Sequence, residues 1–347
     1  MTTNTPEIPV LPVARQPVGR DYFLGTWSGR LLIMNILVFA GMVWYNPSSF
    51  FAPSNEFIRM FGSKSMADIA SGEYWRFITP MFVHIGIIHL FFNSMGIYYV
   101  AYQIELILGA RWFVTVYLLA GIVGNLASCL FSLALSAGAS GALFGLLGAG
   151  FRLERVVGKS TEISDGNPRP RKRVYAGMVI SNLILGLVIP VIDNSAHIGG
   201  VITGWLLMDA VLRSRPNRFM AQKPWISRSI YTAIACFMVF AVARTVDPVV
   251  VAKRYLEEGL KSSAAPTSYQ DFSNALKVQP TNELARIKRG TLLLQNGEVG
   301  LGVEDIRMAI QSGRITNEQI KSITEELQLT GHILEAEMVR KLIQKME

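Results

Sequence analysis

The chain has 347 residues and a formal net charge of +8, with half of its residues hydrophobic and only 17% charged; its mean hydropathy is +0.33. This excludes a disordered polymer, and because the apolar residues gather in long runs it points to segments that cross a bilayer. The basic excess suggests nucleic-acid binding until the charges are located, since they sit in short loops between apolar runs. The only cysteines, Cys129 and Cys236, lie inside those runs, so neither a disulfide framework nor a thiolate metal site is expected.

Residues 1–29 contain Pro6, Pro9, Pro12 and Pro17 without apolar periodicity, which predicts a flexible leader. The first apolar run begins at Leu31 and ends without a small-residue cleavage pattern, so it is expected to stay as an anchor. Further runs at roughly 87–104, 113–131, 138–151, 174–191, 196–212 and 229–243 give seven spans. The fourth and the last are short: at about 1.5 Å per residue they reach only about 21–23 Å, against a hydrocarbon core of about 30 Å. Arg228 and Arg244 bracket the last run, and their long stems can snorkel to the two interfaces.

Lys and Arg counts set the orientation. The leader through Arg30 carries three, the loop 105–112 one, 152–173 seven and 213–228 five, sixteen on one side under alternating spans. The other side receives three in 46–86 and none in 132–137 or 192–195. The expected topology therefore has a cytoplasmic N-terminus, in a plasma (inner) membrane. From about residue 249 the sequence becomes polar and amphipathic, with 13 basic and 14 acidic residues between Asp247 and Glu347. Ala275-Leu276 recurs as Ala309-Ile310 and Gly297 as Gly331, each 34 positions on, the period of a helix–turn–helix repeat. The stretch from Ala275 to Asn282 resembles the end of a tetratricopeptide unit, with an irregular helical bundle as the competing reading. The expected organisation is a leader (1–29), a six-span core (30–213), a basic loop and seventh span (214–248), and an extracytoplasmic helical domain (249–347).

Ionisable or reactive groups inside spans are costly, so each is a functional candidate. His84 and His89 flank the start of the second span, Asn93 lies one turn on, Ser140 opens the fourth and His197 the sixth. Spans two, four and six all run from outside to inside, so these residues share one membrane depth. Ser140 stands in Gly138-Ala139-Ser140-Gly141, where small residues let another chain approach and a helix N-terminus favours an anion. The same pattern also suits plain tight packing of helices, and Ala142 separates it from the hydrolase G-x-S-x-G turn. His197, followed by Gly199, Gly200 and Gly204, could accept the serine proton; alone it would equally suit a packing residue or a proton relay. His89 and Asn93, at i and i+4, present donors from one helical face that could hold an oxyanion. Metal binding is the weaker reading, because the His84-to-His89 spacing includes no glutamate and no intramembrane acid stands near.

Taken together, these motifs resemble the rhomboid intramembrane serine proteases. The resemblance rests on Trp75-Arg76 in the first outer loop, His84 with His89 and Asn93, the Gly138-to-Gly141 turn, and Ala196-His197 with Gly199, Gly200 and Gly204; it covers about residues 30–212. It implies an all-α polytopic bundle, a Ser140 nucleophile with His197 as its base, and an oxyanion hole of His89, Asn93 and the Ser140 amide. Gly138 would belong to the surroundings of that hole, and His84, Trp75 and Arg76 to supporting structure. Phe144 stands where some relatives carry a tyrosine against the base histidine, which keeps the aromatic face and loses the hydroxyl. The long segment 46–86, apolar at Phe50, Phe51, Phe57, Ile58 and Phe61, would lie partly in the outer leaflet.

The expected function is cleavage of transmembrane segments near their outer ends, without cofactor or metal. Expected partners are membrane-protein substrates, the lipid bilayer and a protein bound by the C-terminal helical domain, with no nucleic acid. Two other classes compete: a catalytically silent client-binding relative, which the presence of both Ser140 and His197 disfavours, and a transporter, which calls for inverted repeats and mid-membrane acids that the sequence lacks.

Overall fold

A computed structural model describes residues 20–157, 172–189, 192–214, 223–262, 264–312 and 316–344. Most of the leader, most of the basic loop 152–173 and half of the basic loop 213–228 lie outside the described residues. Apart from one isolated antiparallel bridge between Lys64 and Ser136, the described elements are helices and turns. Two compact units emerge: the described residues up to Ser65 with Tyr74–Ala243, and Met66–Glu73 with the described residues from Arg244 onward.

In the first unit a helix occupies every apolar run, as it must where lipid offers the backbone no hydrogen-bond partner. A short helix α1 (Arg20–Gly25) precedes α2 (Trp27–Tyr45), so part of the expected leader is helical. Helix α2 opens on a polar cap. Thr26 accepts from the Gly29 N–H at 3.1 Å, and buried Glu105 accepts from the Trp27 and Ser28 N–H groups at 2.8 and 2.7 Å. This satisfies donors that a helix start cannot bond internally and sets an anion at its positive end.

The first outer loop carries α3 (Asn55–Met60) and α4 (Met66–Ala70). Helices α5 (Gly86–Gly96) and α6 (Tyr102–Leu108) occupy the second apolar run, joined by a π-helical turn at Ile97–Ala101. Then follow α7 (Ala110–Phe131), α8 (Ser140–Val157), α9 (Lys172–Val188), α10 (Asn194–Ser214) and α11 (Pro224–Val246). Helices α2, α7, α10 and α11 are each long and apolar enough to cross a membrane. Only 11% of the apolar window of α11 is buried inside the protein, and Trp225, Val239 and Phe240 are exposed, a surface suited to lipid.

Helix α8 continues past the apolar run predicted for it, because Arg152 does not end the helix. It is buried, pairs with Asp209 of α10 through Nε at 2.7 Å, and lies 5.8 Å from the Trp205 ring centroid. A buried charge persists when it is paired in this way. The bundle centre is an apolar core including Ile97, Phe113, Tyr117, Leu146, Leu207 and Met208. Cys129 is buried and Cys236 exposed, and neither is in a disulfide.

In the second unit, α12 (Pro248–Lys261) and α13 (Ala265–Val278) pack on each other, Gly259 against the Phe272 ring, while α14 (Glu283–Gln295), α15 (Val299–Gln311), α16 (Asn317–Leu329) and α17 (Ile333–Gln344) pack around Ile287, Leu294, Ile306, Ile323, Leu327 and Val339. The 34-residue recurrence has a local cause. Gly297 and Gly331 follow α14 and α16 with φ of +79° and +86°, the left-handed conformation that ends helices. The turns share their hydrogen bonds: Glu298 N–H to Leu293 O and His332 N–H to Leu327 O are both 2.8 Å. His332 is held there by Gln295 O at 3.0 Å and Thr330 Oγ1 at 3.2 Å. Within this unit Lys277 of α13 also forms an ion pair with buried Asp68 of α4.

Candidate active site

Glycine makes the site possible. A Cβ on Gly200 would stand 2.1 Å from Gly141 O, and one on Gly204 would stand 1.8 Å from Gly145 O, so α8 and α10 touch through bare backbone. Gly145 in turn faces Ala120 of α7, and Gly124 of α7 faces Ala196 O. The small-residue stripes read from the sequence are therefore a three-helix contact, the close approach such stripes allow.

That contact brings Ser140, the first residue of α8, to His197 in the first turn of α10, with Ser140 Oγ 2.8 Å from His197 Nε2. Phe144, one turn after Ser140, lies flat on the imidazole with centroids 4.0 Å apart and an interplanar angle of 8°. The ring is thus held between a hydrogen bond at its edge and an aromatic face.

His89 and Asn93 sit on the other side of Gly138. His89 Nδ1 accepts from the Ile85 N–H at 3.2 Å, which assigns the proton of the neutral ring to Nε2. Asn93 Nδ2 donates to His89 O at 3.0 Å and keeps a second hydrogen. Gly138 has φ of +117°, and a Cβ there would stand 2.7 Å from His89 Nε2 and 3.6 Å from Asn93 Nδ2. The absent side chain leaves open the space that both donors face, two residues before the Ser140 amide. That amide is among the first N–H groups of α8, which have no acceptor within the helix.

The remaining candidates are supports. His84 is fully buried, places Nδ1 3.2 Å from Phe82 O, and lies 5.3 Å ring to ring from His89. Arg76 is buried and donates through Nη1 to Arg59 O at 2.7 Å and to Ser63 O at 2.8 Å, which braces the first outer loop. Trp75 is 56% exposed and is not brought to the serine–histidine pair. Among the described residues no three His, Cys, Asp or Glu side chains cluster as metal ligands. Sequence reasoning passed over Asp193, whose carboxylate accepts from the Ala196 N–H at 3.1 Å and so caps the helix that carries His197. An Asp immediately before a helix start is the signal that could have found it.

Fold and site together define an all-α integral membrane protein with a serine–histidine pair set into its bundle. Residues 71–214 match the profile of the Rhomboid domain. Similar proteins include Rhomboid protease GluP of Bacillus subtilis, 38% identical over 166 residues, 46% of this chain and 30% of the relative. RHOMBOID-like protein 7 of Arabidopsis thaliana is 32% identical over 202 residues, 51% of this chain and 63% of the relative. Putative rhomboid protease YdcA of Bacillus subtilis is 32% identical over 157 residues, 44% of this chain and 74% of the relative. The chain thus spans less than two thirds of the first two relatives and about three quarters of the third. It belongs to the rhomboid family.

Proposed function

We propose that this chain is an intramembrane serine endopeptidase that hydrolyses transmembrane segments of other membrane proteins near their outer ends. The observation that carries the reading is the 2.8 Å approach of Ser140 Oγ to His197 Nε2, beside two donors that face the bare α-carbon of Gly138. Ser140 Oγ attacks the scissile carbonyl carbon as its proton passes to His197 Nε2. The tetrahedral oxyanion accepts from the Ser140 N–H, His89 Nε2–H and Asn93 Nδ2–H, donors fixed before charge develops. Collapse breaks the C–N bond, and His197 returns the proton to the leaving amine. Water then attacks the acyl-serine by the same route and releases the carboxylate. By resemblance to the family, the substrate is a single-span protein whose helix unwinds easily, with a small residue before the cut.

The same reading places the protein in a plasma (inner) membrane with the N-terminus cytoplasmic. Seven spans put the appended helices on the opposite side. Support comes from Met66–Glu73, which lies between the first and second spans and shares a compact unit with the residues from Arg244 onward. The 34-residue recurrence of that unit supports a tetratricopeptide-like role, capture of a substrate ectodomain or partner protein on stacked helices. The test is cleavage of a single-span reporter by purified protein in proteoliposomes, with the cut site mapped by mass spectrometry. A cut within the outer part of the span, lost in Ser140→Ala, is expected; an equal rate in Ser140→Ala overturns the reading.

A further inference from the structure

The residues that lead into the two members of the dyad meet at a polar node outside the apolar core. Asp193 stands four positions before His197, and Ser136 four positions before Ser140. The Asp193 carboxylate accepts from the Ser128 hydroxyl at the end of α7 in a short hydrogen bond, and from the Ala196 N–H at 3.1 Å. The Asp193 backbone carbonyl accepts from the His197 N–H at 3.2 Å. The turn that presents the base is thus held by both halves of one residue.

The other half of the node belongs to Lys64 of the first outer loop. Its side chain is fully buried, which is costly unless the ammonium is paired and hydrogen-bonded. Lys64 Nζ donates to Ser132 O at 3.1 Å, the Lys64 N–H donates to Ser136 O at 2.8 Å, and the Ser136 N–H returns to Lys64 O at 3.4 Å. This bridge fixes the loop that ends in Ser140. Burial opposes ionisation of Asp193, yet the Lys64 charge and hydrogen bonds from Ser128, Ala196 and Ser136 together hold its carboxyl below the ordinary range. One hydrogen-bonded network with two buried charges therefore ties the Ser140 loop, the His197 turn and the end of α7.

We propose that Asp193 and the Lys64 charge act as a pair, with Asp193 as the positioning residue of the Ser140–His197 dyad, setting its reactive geometry without touching the substrate. The inference rests on the protease reading above, and its test separates the two. The rate at which a fluorophosphonate labels Ser140 is measured beside kcat and KM for the reporter, with melting temperature as the folding control. Asp193→Ala lowers kcat and the labelling rate about 10- to 100-fold with KM within about twofold, the loss expected from roughly 1 Å of misplacement. Asp193→Asn keeps an acceptor for the Ala196 N–H, and so recovers most of the melting temperature while its labelling rate stays about tenfold down. Lys64→Met has a similar effect, and the double variant Lys64→Met/Asp193→Asn is no worse than the poorer single one, because the two act as a pair. If Asp193→Ala does not fold, Ser128→Ala carries the test, since it removes one donor and leaves both charges in place. It is expected to slow labelling about threefold or more at unchanged melting temperature. Wild-type labelling in folded Asp193→Ala or in Ser128→Ala, or additive losses in the double variant, overturns the proposal while leaving the dyad standing. Undiminished labelling of Ser140→Ala overturns the dyad and the proposal together.

Discussion

Gly200→Ala adds one methyl group at the closest backbone contact beside the dyad. The new Cβ would stand 2.1 Å from Gly141 O, whereas ordinary contact begins at 3.4 Å, so α10 and α8 must part by about 1.3 Å. Neither side can yield by turning a side chain, since the obstructing atom is backbone. If half of that shift reaches the residues one position from Gly141 and three from Gly200, the 2.8 Å Ser140–His197 bond lengthens to about 3.5 Å, the edge of hydrogen bonding. Turnover should fall about 100-fold, with a stability loss of about 1–3 kcal/mol from overpacking. The control is Gly177→Ala in α9, where a Cβ meets nothing within 4 Å. Initial cleavage rates and melting temperatures of the two variants form the assay. Wild-type turnover in folded Gly200→Ala would refute the claim that close backbone packing sets the dyad geometry.

Asn93→Ala removes one donor facing the Gly138 space and is expected to lower kcat about 100- to 1000-fold with little change in KM; an unchanged kcat would remove Asn93 from the site. In the second unit, burial and then the Glu258 charge push the Asp271 carboxyl from 3.8 up to about 6. The folded state therefore holds this proton more tightly than the unfolded chain, and that contribution is complete below about pH 3.8 and lost as pH rises through 6. Asp271→Asn should raise the melting temperature of that unit at pH 7.5 and not at pH 3, and an equal gain at both would contradict the assignment. A reporter active only outside the cytoplasm, fused after the last residue, should be active in the inserted protein, and silence would overturn the seven-span topology.

The helices of the first unit were legible because lipid demands long apolar runs, and a helix is how one chain satisfies its backbone there. The convergence of Ser140, His197, His89 and Asn93 was legible for a related reason: alternating spans fix which end of each helix faces which side. What escaped the sequence depends on partners far along the chain. Arg152 reads as the end of a span until its pairing with Asp209, 57 residues on, is known. Asp193 reads as a loop residue until Ser128, 65 residues before it, is brought to it. Met66–Glu73 reads as outer loop, and its place in the second unit, where Asp68 pairs with Lys277 across 209 positions, follows from no local pattern.

The central claim is that His197 activates Ser140, and labelling without any substrate tests it most directly. Purified protein in proteoliposomes is treated with a fluorophosphonate and the adduct is mapped by mass spectrometry. The account predicts a single adduct on Ser140, absent in Ser140→Ala and formed at least about 100-fold more slowly in folded His197→Ala. An adduct on another residue, or labelling of His197→Ala at the wild-type rate, would contradict it.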